Sequence, residues 1–190
     1  MRFGSFRFSA ALVVASLALG SVALADATPG VETTPIPVNT KPDWSAMKFY
    51  LGTWHCSTKS SRRPSAYETT ETYAMDSTGY WMVLRTAYAK IAWATLAASV
   101  DMYTYDVQQK RWVDVMTDDQ GNYDVSYSPG WKGATIVWTD TLFTPGPDII
   151  ATTPTTWTKV SDSKRTSTSS FTEKSGRTVT VVASCTKTGT

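Results

Sequence analysis

The stretch Phe49-Tyr50-Leu51-Gly52-Thr53-Trp54-His55-Cys56 decides the fold that we predict for this chain. Its composition is typical of a first β-strand, and it carries a Gly-x-Trp motif together with one of the two cysteines. The second cysteine, Cys185, lies close to the C-terminus. If the two cysteines are joined, the first and last strands are neighbours. In an all-β chain that arrangement predicts a closed barrel.

The N-terminus has the features of a secretory signal peptide. Two arginines precede a short apolar core at residues 9–24, and small residues provide cleavage sites after Ala25 or Ala27. We therefore predict that residues 1–25 are a signal peptide and that the mature protein is periplasmic or secreted, with no membrane anchor after cleavage. A retained N-terminal anchor is the alternative, although the apolar run is short for a spanning helix.

The charge of the mature chain argues against two classes of partner. The full chain has 18 basic and 16 acidic residues, and the signal peptide contains Arg2 and Arg7 but no acid, so the mature chain has 16 of each. A neutral domain lacks the positive electrostatic field that attracts nucleic acids and anionic membranes. We predict no nucleic-acid partner, and a single domain with its own core.

A proline-rich segment precedes the predicted domain. Residues 26–42 contain four prolines and are predicted to be a flexible linker. Asp43 is then placed to cap a short helix, because Trp44, Met47 and Leu51 fall on one helical face. Such a helix would plug one end of a barrel.

From residue 50 onward, short runs rich in Val, Thr, Tyr and Trp alternate with turn residues, which is typical of strands. The predicted strands are 50–58, 66–76, 79–87, 100–107, 111–117, 122–128, 134–142, 155–161, 165–173 and 177–186. Turn sequences such as Asp76–Gly79 separate them. Residues 43–190 are therefore predicted to form an all-β domain, a closed or nearly closed antiparallel up-and-down barrel of about 8–10 strands, with a sandwich as the alternative.

Two segments interrupt this regular spacing. Residues 88–98 are rich in alanine, and they fit either a short helix across a barrel mouth or a continued strand pair. Residues 143–154 contain three prolines and are predicted to form a longer loop.

Alternation of side chains along each strand gives a set of candidate ligand-lining residues. The set is Trp54, Tyr73, Trp81, Arg85, Tyr103, Tyr123, Trp138 and Phe171. For each aromatic residue the alternative is simple core packing. Arg85 is included because an inward guanidinium would hold a ligand carboxylate, and the alternative places it near the rim or outside, in water.

Five short motifs together resemble a known group of proteins. They are Gly52-Thr53-Trp54-His55-Cys56, Asp76-Ser77-Thr78-Gly79-Tyr80-Trp81, Tyr105-Asp106, Ser128-Pro129-Gly130-Trp131 and Cys185-Thr186-Lys187. The first resembles the opening strand of lipocalin-like (calycin) barrels, where the Trp lies at the closed end. The order and spacing of all five are similar to bacterial exported proteins of unknown function with a lipocalin-like barrel. The resemblance covers residues 43–187 and implies a fold, but no activity.

A related class of such barrels binds haem, which makes the histidine content relevant. The single histidine, His55, lies on the face opposite Trp54 by alternation, so it is predicted to point outward and not to ligate haem. Asp118–Asp124 superficially resembles a calcium loop, but it lacks the alternating aspartates and the final glutamate. We predict no cofactor and no metal site.

The two cysteines of an exported protein most often form one disulfide, and we predict Cys56–Cys185. Two free thiols or an intermolecular bridge are the alternatives. A bridge requires Cα atoms about 4.4–6.8 Å apart, so this distance tests closure of the barrel. With the thiols oxidised, one histidine and no Gly-x-Ser-x-Gly motif, no catalytic residue is predicted.

Three hypotheses for function follow. The first is an exported barrel, monomeric or homodimeric, that binds a small apolar or amphipathic molecule. The second is an isomerase or hydrolase that uses the cavity, with an internal acid/base pair such as Glu71 and a tyrosine. The third is a structural module that binds another protein through an apolar outer face. A solid interior would exclude the first two, and an open cavity without paired titratable groups would favour the first.

Overall fold

The computed structural model describes residues 40–90, 96–143 and 148–189 of the chain. The predicted signal peptide lies outside these residues, as does nearly all of the predicted linker. The predicted short helix consists of two 3₁₀ turns, Trp44–Ala46 and Lys48–Tyr50, and the Asp43 carboxylate caps the first by accepting a hydrogen bond from the Ser45 backbone N–H. Among the described residues, no helix has the length and apolar content needed to cross a membrane.

The described part of the chain contains twelve strands. They are β1 Gly52–Ser60, β2 Tyr67–Met75, β3 Met82–Tyr88, β4 Ala98–Asp106, β5 Arg111–Asp118, β6 Tyr123–Ser128, β7 Trp131–Lys132, β8 Thr135–Phe143, β9 Ile149–Thr152, β10 Thr155–Ser161, β11 Lys164–Glu173 and β12 Thr178–Gly189. All ten predicted strands are present within a few residues of their predicted bounds.

Ten of these strands form a closed antiparallel barrel, and strands that follow one another in the chain are neighbours in the sheet. β12 pairs with β1 to close the barrel, and β8 pairs with β10 past the short strand between them. β7 pairs with β8, and β9 pairs with β11. The all-β closed up-and-down barrel predicted from the sequence is therefore confirmed.

The predicted loop at residues 143–154 contains strand β9, which is a correction. It begins with two isoleucines, a residue type enriched in strands; Ile149 is half-buried and Ile150 is exposed. β9 pairs with the end of β11, where Thr152 lies opposite Phe171. The predicted segment 88–98 joins β3 to β4, and residues 91–95 of it lie outside the described residues, so the choice between helix and strand is not decided there.

The turn between β2 and β3 shows how local sequence sets the hairpins. The Asp76 carboxylate accepts hydrogen bonds from the backbone N–H groups of Thr78, Gly79 and Trp81. Gly79 has a φ of 74°, a left-handed conformation that glycine adopts without steric cost. The turn signal read from the sequence therefore corresponds to a specific set of hydrogen bonds.

Aromatic side chains fill the end of the barrel where β1 begins, which we call the closed half. Met47, Tyr50 and Trp54 have no exposed surface there, and the Trp54 indole N–H donates to the Tyr50 backbone carbonyl at 2.7 Å. Full burial of one such side chain contributes roughly 1.5–3 kcal/mol. The two 3₁₀ turns thus act as the plug that the sequence predicts.

A disulfide joins Cys56 of β1 to Cys185 of β12, as predicted. The two residues lie directly opposite each other in the register of the antiparallel pair, and their Cα atoms are 4.0 Å apart. This distance is just below the expected range, and it is nearer to the Cα separation of about 4.5 Å in the closer type of antiparallel pair than to the separation of about 5.5 Å in the other type. The bridge is compatible with an oxidising, exported location.

Candidate functional site

Three of the predicted lining residues are core residues of the closed half. Trp54, Tyr103 and Trp138 are almost completely buried. The Tyr103 and Trp138 rings meet edge to face with centroids 5.5 Å apart, and Trp138 contacts the ring of Trp157 at 5.9 Å. Aromatic pairs in these geometries favour a packed core, which fills this half of the barrel.

Tyr123 was predicted to face inward, and this is wrong. Its side chain is 43% exposed on the outside of β6, whereas Ser126 and Ser128 are only 2% and 1% exposed and face the interior. The alternation rule grouped the residues of β6 correctly but assigned the more apolar group to the inside. The interior of this part of the barrel is polar, so that assignment fails.

Trp81 and Arg85 also lie on the outer side of the barrel, which corrects their prediction as lining residues. Arg85 is exposed, while its neighbours Leu84 and Thr86 are buried. Trp81 precedes β3 and borders an outer groove with Pro42. The favourable free energy of hydrating a guanidinium keeps Arg85 in water, and no carboxylate among the described residues forms a salt bridge with it.

Above the closed half, the interior of the barrel contains an open cavity of about 260 Å³. Of the predicted lining residues, Tyr73 borders it; Phe171 lies on the same inner face of β11 as Arg165, but it does not border the cavity. Two carboxyl groups, from Glu71 and Asp101, also line it. The remaining polar lining consists of Tyr67, Tyr88 and the hydroxyls of Thr58, Thr69, Thr86, Ser99 and Ser167. The apolar lining includes Leu84, Met116, Trp157, Val181 and Ala183.

A buried ion pair lies beside the cavity, and its carboxylate, from Glu71, borders the cavity. The Arg165 guanidinium of β11 donates to the Glu71 carboxylate of β2, and its Nη2 lies 3.2 Å from the Tyr73 hydroxyl. Arg165 is 3% exposed and is surrounded by four aromatic rings, with centroids 5.1–5.7 Å from its central carbon. They are Tyr50, Trp54, Tyr73 and Trp157. A cation is thus held inside the barrel by one carboxylate and by aromatic faces.

The opposite wall carries three aspartates on adjacent strands. Asp101 of β4, Asp114 of β5 and Asp124 of β6 all point inward. Among the described residues, no lysine, arginine or histidine forms a salt bridge with any of them. The Tyr103 hydroxyl and Asp114 Oδ1 lie beside this group, and neither has a hydrogen-bond partner in the described part of the chain. The wall is therefore rich in acceptors and lacks a compensating cation.

Burial and mutual repulsion change the proton affinity of these aspartates. Burial, and then the charges of Glu71 and Asp124, raise the pKa of Asp101 to about 8. Burial, followed by the Asp101 and Asp124 charges, raises the pKa of Asp114 well above its ordinary value. Tyr103 lies close enough to moderate that rise, although its hydroxyl does not reach hydrogen-bond geometry. Burial, and then Asp140, raise the pKa of Asp124 to about 6.

These pKa values predict a pH-dependent stability that Asp101→Asn should reduce. The unfolded chain releases the Asp101 proton near pH 3.8, whereas the folded chain keeps it up to about pH 8. The contribution is therefore complete at acid pH and is lost as the pH rises between these values, by up to ~1.4 kcal/mol per pH unit. Urea unfolding at several pH values should give a smaller decline for Asp101→Asn than for the wild type.

A matched control for this experiment is Asp162→Asn, because the Asp162 side chain is 96% exposed. This variant should retain the wild-type decline in stability with pH. The pKa of Asp114 is also raised, so Asp101→Asn reduces the decline in stability with pH without abolishing it. Equal slopes for Asp101→Asn and the wild type would contradict the buried, proton-binding state of Asp101.

The interior does not offer a metal site of ordinary type. Within the described residues, the only three potential ligand atoms that lie within 4.8 Å of one another belong to Cys56, Glu71 and Cys185. The two sulfurs are in the disulfide, so they are not thiolates, and Glu71 is bonded to Arg165. The three wall aspartates do not converge closely enough to share one ion.

His55 lies on the outside of β1, as alternation predicts. Its imidazole Nε2 is 3.3 Å from the Glu68 carboxylate on β2, and both side chains are largely exposed. The side chain therefore points away from the cavity, on the face opposite Trp54.

Sequence reasoning missed Arg165 and the wall aspartates. The pattern of β4 does contain a signal, since Asp101 and Tyr103 are two residues apart and must share a face. Arg165 carries no such local signal, because its partner Glu71 is 94 residues earlier in the chain. Only the register of the closed barrel brings these two residues together.

No protein-family model matches the sequence, and no curated protein matches it. Among solved structures, the fold is similar to Rv2717c from M. tuberculosis, with a TM-score of 0.60 and 10% identity over 79% of this chain and 99% of that one. A protein of unknown function from the DUF3598 family of Nostoc punctiforme PCC 73102 has a TM-score of 0.41 and 13% identity, over 75% of this chain and 48% of that one. The similarity to Rv2717c concerns the fold, a β-barrel.

Proposed function

We propose that this protein is an exported binding barrel, periplasmic or secreted and of lipocalin-like type, that holds a small amphipathic molecule in its internal cavity. The observation that carries the proposal is the cavity of about 260 Å³ between the aromatic core and the far end of the barrel. Its wall combines tyrosine rings and aliphatic groups with hydroxyls and two carboxyl groups. Sites for small molecules generally have this form, an apolar surface with a few placed polar groups.

The lining favours an amphipathic ligand over a purely apolar one. An alkyl or aromatic ligand would cover the Asp101 carboxyl and the threonine hydroxyls without offering them hydrogen bonds, which is unfavourable. A ligand with polar groups at the same places avoids this cost. The ring of Trp157 and the side chains of Leu84 and Val181 still provide apolar contacts for its carbon skeleton.

The geometry supports binding over catalysis. The acid/base pair expected for an enzyme is present as Glu71 and Tyr73, whose hydroxyl lies 3.1 Å from the carboxylate. Arg165, however, interacts with both groups. The carboxylate therefore already interacts with a fixed cation and a hydroxyl of the protein, as expected for a structural group.

A variant that fills the cavity should abolish binding. Ala183 lines the cavity on β12, and Ala183→Phe would place a ring in the space that a ligand needs. Ala87→Phe is the matched control, because Ala87 is exposed on the outer face of β3. Native mass spectrometry of protein purified from its own cells should show a retained small molecule with the wild type and Ala87→Phe, and none with Ala183→Phe.

The same experiment has a clear negative result. If all three proteins carry no small molecule, and the wild type binds none of benzylamine, benzyl alcohol and benzoate, the proposal is wrong. Overpacking by Ala183→Phe is expected to cost about 1–3 kcal/mol, so the folded state of the variant should be checked by circular dichroism.

A further inference from the structure

We infer that the ligand is a small organic cation, a primary or secondary ammonium compound, whose charged nitrogen binds to Asp101 on the cavity wall. This inference rests on the proposed function of the barrel and adds a chemical class to it. Asp101 borders the cavity, and within the described residues no cationic side chain pairs with it. A carboxyl that is partly removed from water in this way is most stable when it is either protonated or paired with a cation.

The protein already binds one cation inside the barrel by the same means. Arg165 is held by the Glu71 carboxylate, by the Tyr73 hydroxyl and by the faces of aromatic rings. Across the cavity, Asp101 borders the same space as the rings of Tyr73 and Tyr88, and among the described residues no cationic side chain pairs with it. The wall of β4 therefore repeats the acidic and aromatic elements of the Arg165 site without an occupant supplied by the chain.

A second feature of the wall points the same way. Tyr103 is fully buried, and its hydroxyl has no hydrogen-bond partner in the described residues. It lies on the same inner face of β4 as Asp101, and its register partner on β5 is Asp114, whose Oδ1 is also without a partner. Asp101 and Asp114 lie close enough for their charges to repel each other, and an ammonium group bound at Asp101 would relieve that repulsion.

An organic cation fits better than a metal ion. The carboxylate oxygens of the three wall aspartates do not gather within 4.8 Å of one another in the described part of the chain, as several metal ligands would. Calcium and magnesium need six or more oxygen ligands at about 2.0–2.6 Å. An ammonium group needs only one to three acceptors, and its carbon skeleton uses the tyrosine and aliphatic surface.

The cavity also excludes the opposite charge. A ligand carboxylate would approach Asp101 and Glu71 with no free cation to pair with, since Arg165 is already bonded to Glu71. Burial of an unpaired anion beside other acids is strongly unfavourable. The site should therefore discriminate sharply between ammonium and carboxylate compounds of the same shape.

Isothermal titration calorimetry of the full chain with three probes of similar shape tests this inference. Benzylamine carries the positive charge, benzyl alcohol is neutral and benzoate is negative. We expect benzylamine to bind at least about tenfold more tightly than either of the others. Asp101→Asn keeps the shape of the side chain and removes the charge. It should therefore lower the affinity for benzylamine at least about tenfold and change the affinity for benzyl alcohol less than about twofold.

Proton release provides a readout that a merely structural role would not change. The titratable groups that face Asp101 are Glu71 and Tyr73 of β2, Tyr88 of β3, Tyr103 of β4, Asp114 of β5 and Asp124 of β6. Because an ammonium group competes with the proton for the Asp101 carboxyl, binding near neutral pH should release a proton. Affinity should then rise as the pH increases toward about 8. Calorimetry in two buffers of different ionisation enthalpy measures this release, which Asp101→Asn should remove.

The outcomes separate this inference from the proposed function. If benzyl alcohol or benzoate binds as tightly as benzylamine and Ala183→Phe blocks that binding, the cation assignment is wrong and the binding barrel stands. If Asp101→Asn binds benzylamine like the wild type, the assignment is also wrong. Should Asp101→Asn fail to fold, Asp101→Ser replaces it. Asp162→Asn, on the exposed surface, is the control that should bind like the wild type.

Discussion

Replacement of both cysteines, Cys56→Ser/Cys185→Ser, is expected to lower the free energy of unfolding by about 3–5 kcal/mol. The bridge joins residues 129 positions apart, so it closes a loop that includes most of the folded domain. In the chain-entropy account, a cross-link over so long a loop restricts the unfolded chain by on the order of 5 kcal/mol, which is an upper value. Few single changes in this protein should cost as much.

The location of the bridge adds a structural consequence. Cys56 and Cys185 lie near the middle of the β1–β12 pair, which runs from Thr53 opposite Gly189 to Ser60 opposite Val181. This pair joins the two ends of the barrel sequence, so its contacts link residues that are far apart in the chain. Such long-range pairing has the largest loop-closure cost in folding, so the unbridged chain should also fold more slowly.

Urea unfolding of the oxidised wild type, the reduced wild type and the double variant measures the effect. The reduced wild type and the double variant should have the same lower midpoint. Both should also have a larger m-value, because an unfolded chain without the cross-link exposes more surface. Reductant should not change the unfolding midpoint of the double variant. A difference below about 1 kcal/mol between the oxidised protein and the variant would contradict the prediction.

The strands of this protein were predictable from sequence because the relevant signals are local. Turn residues such as Asp76 and Gly79 mark hairpins by their own hydrogen bonds and backbone conformation. The disulfide was predictable because two cysteines allow only one internal pairing. Together these signals determine which strands are neighbours, and in an up-and-down barrel that is nearly the whole topology.

The facing of side chains was only half predictable. Alternation correctly groups Val179, Val181 and Cys185 on one face of β12, and that face is inside. It also groups Tyr123 with Val125 and Tyr127 on one face of β6, but that face is outside. The inner face of β6 carries Asp124, Ser126 and Ser128. Alternation states which residues share a face. The identity of the inner face depends on what the opposite wall provides.

The polar interior was not predictable, because its parts are stabilised across the barrel. An aspartate or arginine on a single strand is predicted to be exposed, because most such residues in proteins are. Arg165 is buried here only because Glu71 and four aromatic rings from other elements of the fold surround it. The candidate site therefore depends on barrel register, which no single strand encodes.

Arg165→Met is expected to lower the free energy of unfolding by about 3–5 kcal/mol at neutral pH. Methionine fills much of the volume between the aromatic rings, so the main loss is electrostatic. The Glu71 carboxylate would remain in the interior with only the Tyr73 hydroxyl as a close partner, and a buried carboxylate without its cation is strongly destabilising. The rings that face Arg165 would also lose their cation–π contacts.

The matched control is Arg85→Met, which makes the same substitution at an exposed arginine on the outer face of β3. It should change stability by less than about 0.5 kcal/mol. The double variant Arg165→Met/Glu71→Gln should recover most of the loss, because a neutral pair of similar volume avoids the buried unpaired charge. Urea unfolding of the four proteins in this cycle, with Glu71→Gln alone as the fourth, gives the coupling energy.

The size of that coupling separates two roles for the ion pair. A coupling of several kcal/mol, with a nearly wild-type double variant, means that the pair is needed mainly because each charge requires the other. A double variant as unstable as Arg165→Met would mean instead that Arg165 acts through its contacts with the four aromatic rings. In that case the carboxylate would not be the main stabilising partner, and the analogy between the Arg165 site and Asp101 would lose its basis. The same unfolding measurements therefore also test the physical argument for a cation in the cavity.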